Sequence, residues 1–528
     1  MRKPKKKNDG AAAQEIELKF LGPEDALESA RRVSALRKFA RGRRFHTQNL
    51  RSIYYDTPDF ALRDQGLILR VREEGDRFVQ TVKSARNTNI AARTELNADV
   101  PTAEVSLDAI DNKKMRRAIK SAAKKSPLIA LFAVEVRRSS ITLTPRAGIA
   151  IEAAIDHGII KALGPKAGAS IPVCEYELEL KAGNPGDLVD AARALTSGVP
   201  LTLGTQSKAE RGYALVEGEV DNPVKAGAVV LDRKAYADDA FARILTHCLG
   251  HLLRNVPCVL RTRDPEGIHQ MRVAMRRMRS ALSLFGEPFR SSLGALEGEI
   301  RWLTQTLGQA RDLDVFHDDI LMPAAEALND GRMIQLGAAV RARRRAAWTD
   351  VLDAIESDRF RKLALDLGAA TLLQPWATQG NGAEAGHGLA RKFADKHIAK
   401  RHAKIVKGVK KLEELEPEAR HKLRVHLKKL RYAADFFAGF YRKKELRAHQ
   451  RCIADLQDLL GHLNDANVAR TLIEEILAED GARDPGSSAG LAYAGGAIVG
   501  WHTEHGARTM KRLTKRWKKF TQLKPFWH

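Results

Sequence analysis

Two segments of this chain alternate charged and apolar residues so that every charge falls on one side. Glu15-Ile16-Glu17-Leu18-Lys19-Phe20 is the first, and Glu175-Tyr176-Glu177-Leu178-Glu179-Leu180-Lys181 is the second. In a strand, successive side chains point to opposite faces, so each segment projects a row of carboxylates ending in a lysine. Basic rows stand elsewhere. Leu69-Arg70-Val71-Arg72 puts two arginines on one face, Lys83 closes a later segment, and Arg93 and Glu95 share a face. Glu152 and Asp156 share a face with Ala150 and Ala154, opposite Ile149, Ile151 and Ile155. Strand by strand, such rows fit an amphipathic sheet with one side in water. Taken together they also fit a lumen in which a carboxylate cluster faces a ring of cations. Like charges held that close are costly to ionise unless counter-ions neutralise them. Mg²⁺ or Mn²⁺ on the carboxylates and a phosphate chain on the cations would do so, since these hard ions prefer oxygen ligands and bridge to phosphates.

The elements that must position these residues have two periods. From Ala13 to about Tyr213 the apolar pattern is mostly period two, which predicts strands near 14–20, 66–73, 77–84, 93–100, 134–143, 148–157 and 173–181. Short helices are expected near 24–38 and 185–197. Many antiparallel strands with few helices imply a closed barrel or a strongly curved sheet. From about Val229 the period becomes 3.6 and stays there, with breakers at Asp264-Pro265, Gly286-Glu287-Pro288 and Glu416-Pro417. The chain therefore reads as a two-domain α+β protein: a basic disordered tail over 1–12, a strand domain over 13–216, a linker over 217–227 and a helical domain over 228–528. The stretch 374–388, rich in Gly and Ala, is expected to link two helical halves (about 228–373 and 389–528), and 481–490 to form a loop.

The strand domain resembles the CYTH domains, the triphosphate tunnel metalloenzymes. The likeness rests on Glu15-Ile16-Glu17-Leu18-Lys19, Tyr54-Tyr55-Asp56-Thr57-Pro58, Leu69-Arg70-Val71-Arg72, Gln80-Thr81-Val82-Lys83, the Glu175–Lys181 segment and Ser207-Lys208-Ala209-Glu210-Arg211-Gly212-Tyr213, in that order. After Arg93-Thr94-Glu95 the family often carries a further acidic residue, where this chain has Asn97. The resemblance implies an eight-stranded antiparallel tunnel that holds a linear triphosphate along its axis. It implies Glu15, Glu17, Glu152, Glu177 and Glu179 as metal ligands, with Glu15, Glu17, Lys19, Glu177 and Glu179 as the catalytic set. It further implies Arg51, Arg70, Arg72, Lys83, Arg93, Arg138, Lys208 and Arg211 as cations that grip the phosphates.

The helical part repeats itself. His269–Arg279 aligns with His421–Arg431, and Leu307–Val315 with Leu460–Val468. On a helix, His269, Arg272, Arg276 and Arg279 form one stripe, next to an apolar stripe of Met271, Met275, Met278 and Leu282. His421, Arg424, Lys428 and Arg431 repeat the basic stripe, which points to an anion groove with each histidine donating to phosphate, more strongly when protonated. This part resembles the histidine-rich CHAD domain, and the resemblance implies binding of inorganic polyphosphate.

Global properties bound the partners. The formal charge is +24 over 528 residues, which favours polyanions. Aromatics make up 6% and do not interleave the basic stripes, so no specific nucleic-acid partner is expected. No apolar run approaches the roughly 20 residues that cross a bilayer, and no membrane partner is expected. Cys174, Cys248, Cys258 and Cys452 form no C-x-x-C pair and read as reduced thiols in a cytoplasmic protein. The leading expectation is a metal-dependent inorganic triphosphatase whose helical domain holds polyphosphate. The alternatives are a non-catalytic polyphosphate scaffold and a tunnel enzyme acting on a nucleoside or thiamine triphosphate.

Overall fold

The computed structural model describes residues 16–84, 94–378, 388–409, 411–481 and 485–527. The chain divides into two compact units, Met1–Asn222 with Ala364–Leu373, and Pro223–Leu363 with Gln374–His528.

The first unit is built on one antiparallel sheet. Its strands are β1 (Ile16–Leu21), β2 (His46–Asp56), β3 (Leu67–Glu74), β4 (Arg77–Ser84), β5 (Thr94–Val100), β6 (Ile129–Leu143), β7 (Ala150–Ala162), β8 (Ser170–Ala182) and β9 (Thr202–Gly204). The sheet order is β5-β4-β3-β2-β6-β7-β8-β1-β9. A three-residue ninth strand thus joins the eight that the resemblance implies, and β2 adds to the seven strands that alternation predicts. Helices α1 (Glu24–Arg32), α2 (Ser34–Ala40), α3 (Ala61–Asp64), α4 (Lys113–Lys125), α5 (Pro185–Thr196) and α6 (Lys208–Glu217) complete the unit. The helix expected over 24–38 is two helices, parted at Val33 by its extended backbone.

The end of β2 and α6 are tied together by Asp56. This fully buried carboxylate accepts hydrogen bonds from the backbone nitrogens of Thr57, Leu62 and Arg63 and from the Tyr213 hydroxyl at 2.9 Å. Ser207 caps α6 in a reciprocal capping box with Glu210. Gly212 lets α6 lie on Phe132, since a Cβ there would meet the ring at 2.2 Å.

The second unit is helical. Its elements are α7 (Ala237–Arg254), α8 (Pro265–Phe285), α9 (Glu287–Ser291), α10 (Leu296–Val315), α11 (Met322–Leu328), α12 (Arg332–Glu356), α13 (Asp358–Leu373, which runs into the first unit's segment), α14 (Pro375–Thr378), α15 (Ala390–Lys407), α16 (Pro417–Phe436), α17 (Lys443–Gly481) and α18 (Pro485–Gln522). The first repeated motif falls on α8 and α16, and the second on α10 and α17. Asp264 caps α8 by accepting from the Glu266 nitrogen, with Pro265 in the first turn. The expected linker over 374–388 is in part core: Trp376 is fully buried, edge-on to Phe241 with ring centroids 4.7 Å apart. Its residues 379–387 lie outside the described set. The expected loop over 481–490 is largely replaced, since α18 already begins at Pro485. Proline is tolerated in a first turn, where no intrahelical donor is lost. Among the described residues no helix is long and apolar enough to cross a membrane.

Candidate functional site

The sheet curves so far that β3 and β4 face β1 and β8 across a single cavity of about 250 Å³. Its lining follows the strand alternation: Glu17 and Lys19 from β1, Ser52 and Tyr54 from β2, Arg70 and Arg72 from β3, Lys83 from β4, Arg138 from β6, Asp156 from β7, Glu177 and Glu179 from β8. Ser207 and Lys208, at the start of α6, close one side.

The acidic side has two layers. Deepest lie Asp156, Glu175 and Glu177, whose carboxylate oxygens come within 4.8 Å of one another. Four cations surround these three carboxylates. The Lys208 amine is 2.8 Å from both Asp156 and Glu177 and 2.5 Å from Glu175. Lys19 lies 3.1 Å from Glu177 and 3.5 Å from Glu175. Arg138 donates to Asp156 at 2.7 Å and also to Glu177, and Arg211 donates to Glu175 at 2.8 Å. Burial by itself would raise the carboxyl pKa values, but Lys208, Lys19 and Arg138 override it and hold Glu177 well below the usual range. Asp156 and Glu175 are held down in the same way, mainly by Lys208. Burial disfavours the charged Lys208 amine, yet Glu175, Glu177 and Asp156 raise its pKa well above that of an ordinary lysine. The layer is a neutralised buried network.

The second layer is a cross-strand row. The register places Glu17 opposite Glu179, and Glu179 opposite Glu152. Lys181 lies 2.6 Å from Glu179 and 3.7 Å from Glu152. Glu17 also feels the Lys19 ammonium on its own strand. Among the described residues only the deep triad brings three carboxylate oxygens within 4.8 Å of one another, but those oxygens already bond to amines and guanidiniums; the outer row offers further oxygen donors of the kind a hard divalent cation takes.

Across the cavity the charge is reversed. Arg70, Arg72 and Lys83 stand around the Tyr54 hydroxyl. Burial would raise the Tyr54 pKa, but Arg70, Lys83 and Arg72 together pull it down. Burial and the adjacent Arg70 lower that of Arg72. Arg70 and Arg72 also line a second cavity of about 360 Å³ toward β5, where Thr81 donates to Asn97 at 2.7 Å.

The expected residues divide accordingly. Glu17, Lys19, Arg70, Arg72, Lys83, Arg138, Glu177, Glu179 and Lys208 line the cavity. Arg51 does not. It sits between Ser52 and the inward-facing Leu50 on β2, so alternation turns it outward to Glu73 at 3.9 Å and Glu135 at 3.5 Å. Arg211 is also absent from the lining; one turn along α6 from Lys208, it buttresses Glu175 and Pro172 from behind. Glu152 lies one register step from Glu179 and outside the lining. Glu15 and Arg93 fall outside the described residues. Ser52, Tyr54, Asp156 and Ser207 were not expected. The parity of Tyr54 and Asp156 within their strands was the available signal.

In the helical unit, α8 and α16 bring the two basic stripes together. Arg276, Arg279 and Lys428 line a cavity of about 460 Å³ with Arg290, Arg301 and Lys429. Arg272 instead donates to the Gly308 carbonyl at 2.9 Å and to Asp312 at 2.6 Å. Arg424 passes beside Gly461, the repeat equivalent of Gly308, and Arg431 donates to Gln457 at 3.1 Å. Burial first, then Arg424, Arg276 and Arg272, push the Lys428 pKa down to about 7. His421 is exposed. Burial first, then Arg311, Arg276 and Arg272, lower the His269 pKa despite Glu266.

Family comparison matches the CYTH domain to residues 13–213 and the CHAD domain to residues 243–474. The chain carries a CYTH domain followed by a CHAD domain. The CYTH domain holds the tunnel-like cavity, and the CHAD domain holds the paired basic helices. An inorganic triphosphatase of Haemophilus influenzae is 29% identical over 206 residues, 38% of this chain and 55% of that protein. An uncharacterized protein of Mycobacterium tuberculosis is 29% identical over 250 residues, 43% of this chain and 44% of its own length. The chain thus spans about half the length of the curated relatives it matches. The crystal structure of the CHAD domain from the plant Ricinus communis is 31% identical, covering 57% of this chain and 97% of that one, with a TM-score of 0.49.

Proposed function

We propose that the CYTH domain hydrolyses inorganic triphosphate to pyrophosphate and phosphate with Mg²⁺ or Mn²⁺, and that the CHAD domain binds polyphosphate. The observation that carries the first part is the division of charge across the 250 Å³ cavity. A pure anion binder has no need of the carboxylates Glu17 and Glu179 opposite Arg70, Arg72 and Lys83. A non-catalytic scaffold is therefore the weaker reading. The name of the Haemophilus relative supports the same chemistry.

Phosphoryl transfer is catalysed chiefly by positioning and charge stabilisation. Arg70, Arg72, Lys83 and Arg138 hold the phosphate chain along the cavity and offset the charge that grows on the leaving pyrophosphate. Glu17, Glu179 and Glu152 would hold the metal, which would supply Lewis acidity and make water more acidic. Glu177 positions Lys19, Lys208 and Arg138 rather than meeting metal directly. Water adds to a terminal phosphorus as the P–O bond to the adjacent phosphate breaks, and its proton passes to solvent or a cavity carboxylate.

The CHAD reading rests on Arg272, Arg276, Arg424 and Lys428, whose mutual repulsion adds to burial in depressing Lys428. A polyphosphate chain would relieve that repulsion. Phosphate release from triphosphate, ATP and long polyphosphate, with and without EDTA, tests the enzyme. Metal-dependent release from triphosphate is expected. A titration of long polyphosphate against a chain with Arg272, Arg276, Arg424 and Lys428 reversed to Glu tests the groove, and unchanged affinity would reject it.

A further inference from the structure

The cavity between α8 and α16 has a wall that a bare phosphate chain cannot use. On α16, Val425, Lys428 and Tyr432 follow one another at helical spacing, so an apolar residue, an amine and an aromatic ring face the same space. Leu282 and Ser280 face it from α8, together with Arg276. Two polar atoms of lining residues, buried behind the open space, lack partners. The Ser280 Oγ, on a side chain 5% exposed, has no hydrogen bond, and neither does the buried Nε of Arg276. Buried polar atoms without partners are rare and costly, so each needs an explanation. Among the described residues the Tyr432 ring stacks on no other ring, and Asp312 is the carboxylate that acts on Lys428, too weakly to offset its burial and the neighbouring arginines. At about 460 Å³ the cavity has the size of a small-molecule site, with apolar walls and a few convergent polar groups.

We infer that this cavity binds a phosphorylated organic molecule with a flat aromatic body, of the nucleoside polyphosphate class. Its phosphates lie on Arg276 and Lys428, and its ring stacks on Tyr432 against Leu282 and Val425. The inference rests on the reading that the basic face of these helices takes phosphate. It adds that the cavity within that face selects for an organic body. The three cations around Lys428 explain its affinity for phosphate, but they give no reason for Leu282, Val425 and Tyr432 to line the same space.

The test uses the full chain carrying Arg70→Gln and Lys83→Gln, in EDTA, so that binding in the CYTH cavity does not contribute. Calorimetric titrations with ATP and with tripolyphosphate are compared. ATP is expected to bind about tenfold more tightly, the range that one base–aromatic stack supplies. Tyr432→Ala is expected to remove that advantage and leave tripolyphosphate within about twofold, Tyr432→Phe to retain it, and Arg276→Gln to weaken both ligands. Equal affinities, with Tyr432→Ala moving neither, would overturn the inference while leaving the phosphate-binding face intact. If Arg276→Gln also moves neither ligand, the phosphate-binding reading falls with it.

Discussion

The amine of Lys208 lies 2.8 Å from the Oε1 of Glu177, and the same amine reaches Asp156 and Glu175. A residue at the first position of a helix thus bridges three carboxylates drawn from two strands. Glu177 is in consequence part of a dense ion network with Lys208, Lys19 and Arg138, whereas Glu179 of the same sequence motif pairs with Lys181.

This separates two glutamates that look alike in sequence. Glu177→Gln leaves Lys208, Lys19 and Arg138 short of a buried counter-charge and is expected to cost about 3–5 kcal/mol of stability. Glu17→Gln, on the metal-facing row, is expected to change stability by under about 1 kcal/mol and to lower turnover by about 100-fold or more. Denaturant unfolding and phosphate release on both variants check this. Equal stability losses would place the two residues in one role.

Arg51→Ala is expected to leave turnover within about twofold, because the side chain points away from the cavity and its exposed ion pairs are worth about 0–1 kcal/mol. Steady-state rates on triphosphate decide the matter. A large rise in KM would mean that β2 presents its other face to substrate.

Gly212→Ala drives a methyl group into Phe132 beneath the helix that carries Lys208. A loss of about 1–3 kcal/mol is expected, with a fall in turnover as the Lys208 amine shifts from its carboxylates. Thermal unfolding measured alongside turnover detects both effects.

Lys428 gives the CHAD domain a pH dependence whose sign follows from its depressed pKa, about 7. Below that pH the amine is charged and attracts polyphosphate; above it the charge is lost. Polyphosphate affinity is expected to fall from about pH 6 to about pH 8, and Lys428→Arg is expected to flatten the fall. The folding contribution runs the other way. Between about pH 7 and about pH 10.5 the unfolded chain binds the extra proton, so this group makes folding more favourable as pH rises. Binding titrations at three pH values are sufficient.

Much of this site was legible because strand alternation is strict. Once Glu17 and Lys19 faced inward, the parity rule carried Arg70, Arg72, Glu177 and Glu179 to the same side. The same rule, applied to β2 from Ser52 and Tyr54, would have sent Arg51 outward; β2 was missed as a strand because His46–Arg51 is polar on both sides of the alternation. The neutralisation of Glu177 was not legible, since it depends on where α6 begins, and α6 was not expected. In the helices, each stripe could be read from spacing, but that α8 faces α16 depends on tertiary packing. Arg290, Arg301 and Tyr432 reach the shared cavity for that reason alone. The 374–388 stretch misled because its Gly and Ala content outweighed a single tryptophan, and Trp376 proved to be core.

The central claim is that the divided charge of the CYTH cavity serves metal-dependent hydrolysis. The most direct measurement is phosphate release from inorganic triphosphate by the full chain with Mg²⁺, Mn²⁺ or EDTA, repeated with Glu17→Gln. Release in either metal, abolished by EDTA and by the substitution in a folded chain, is the expected result. Turnover that persists undiminished in EDTA, or a folded Glu17→Gln chain as active as the unaltered one, would contradict it.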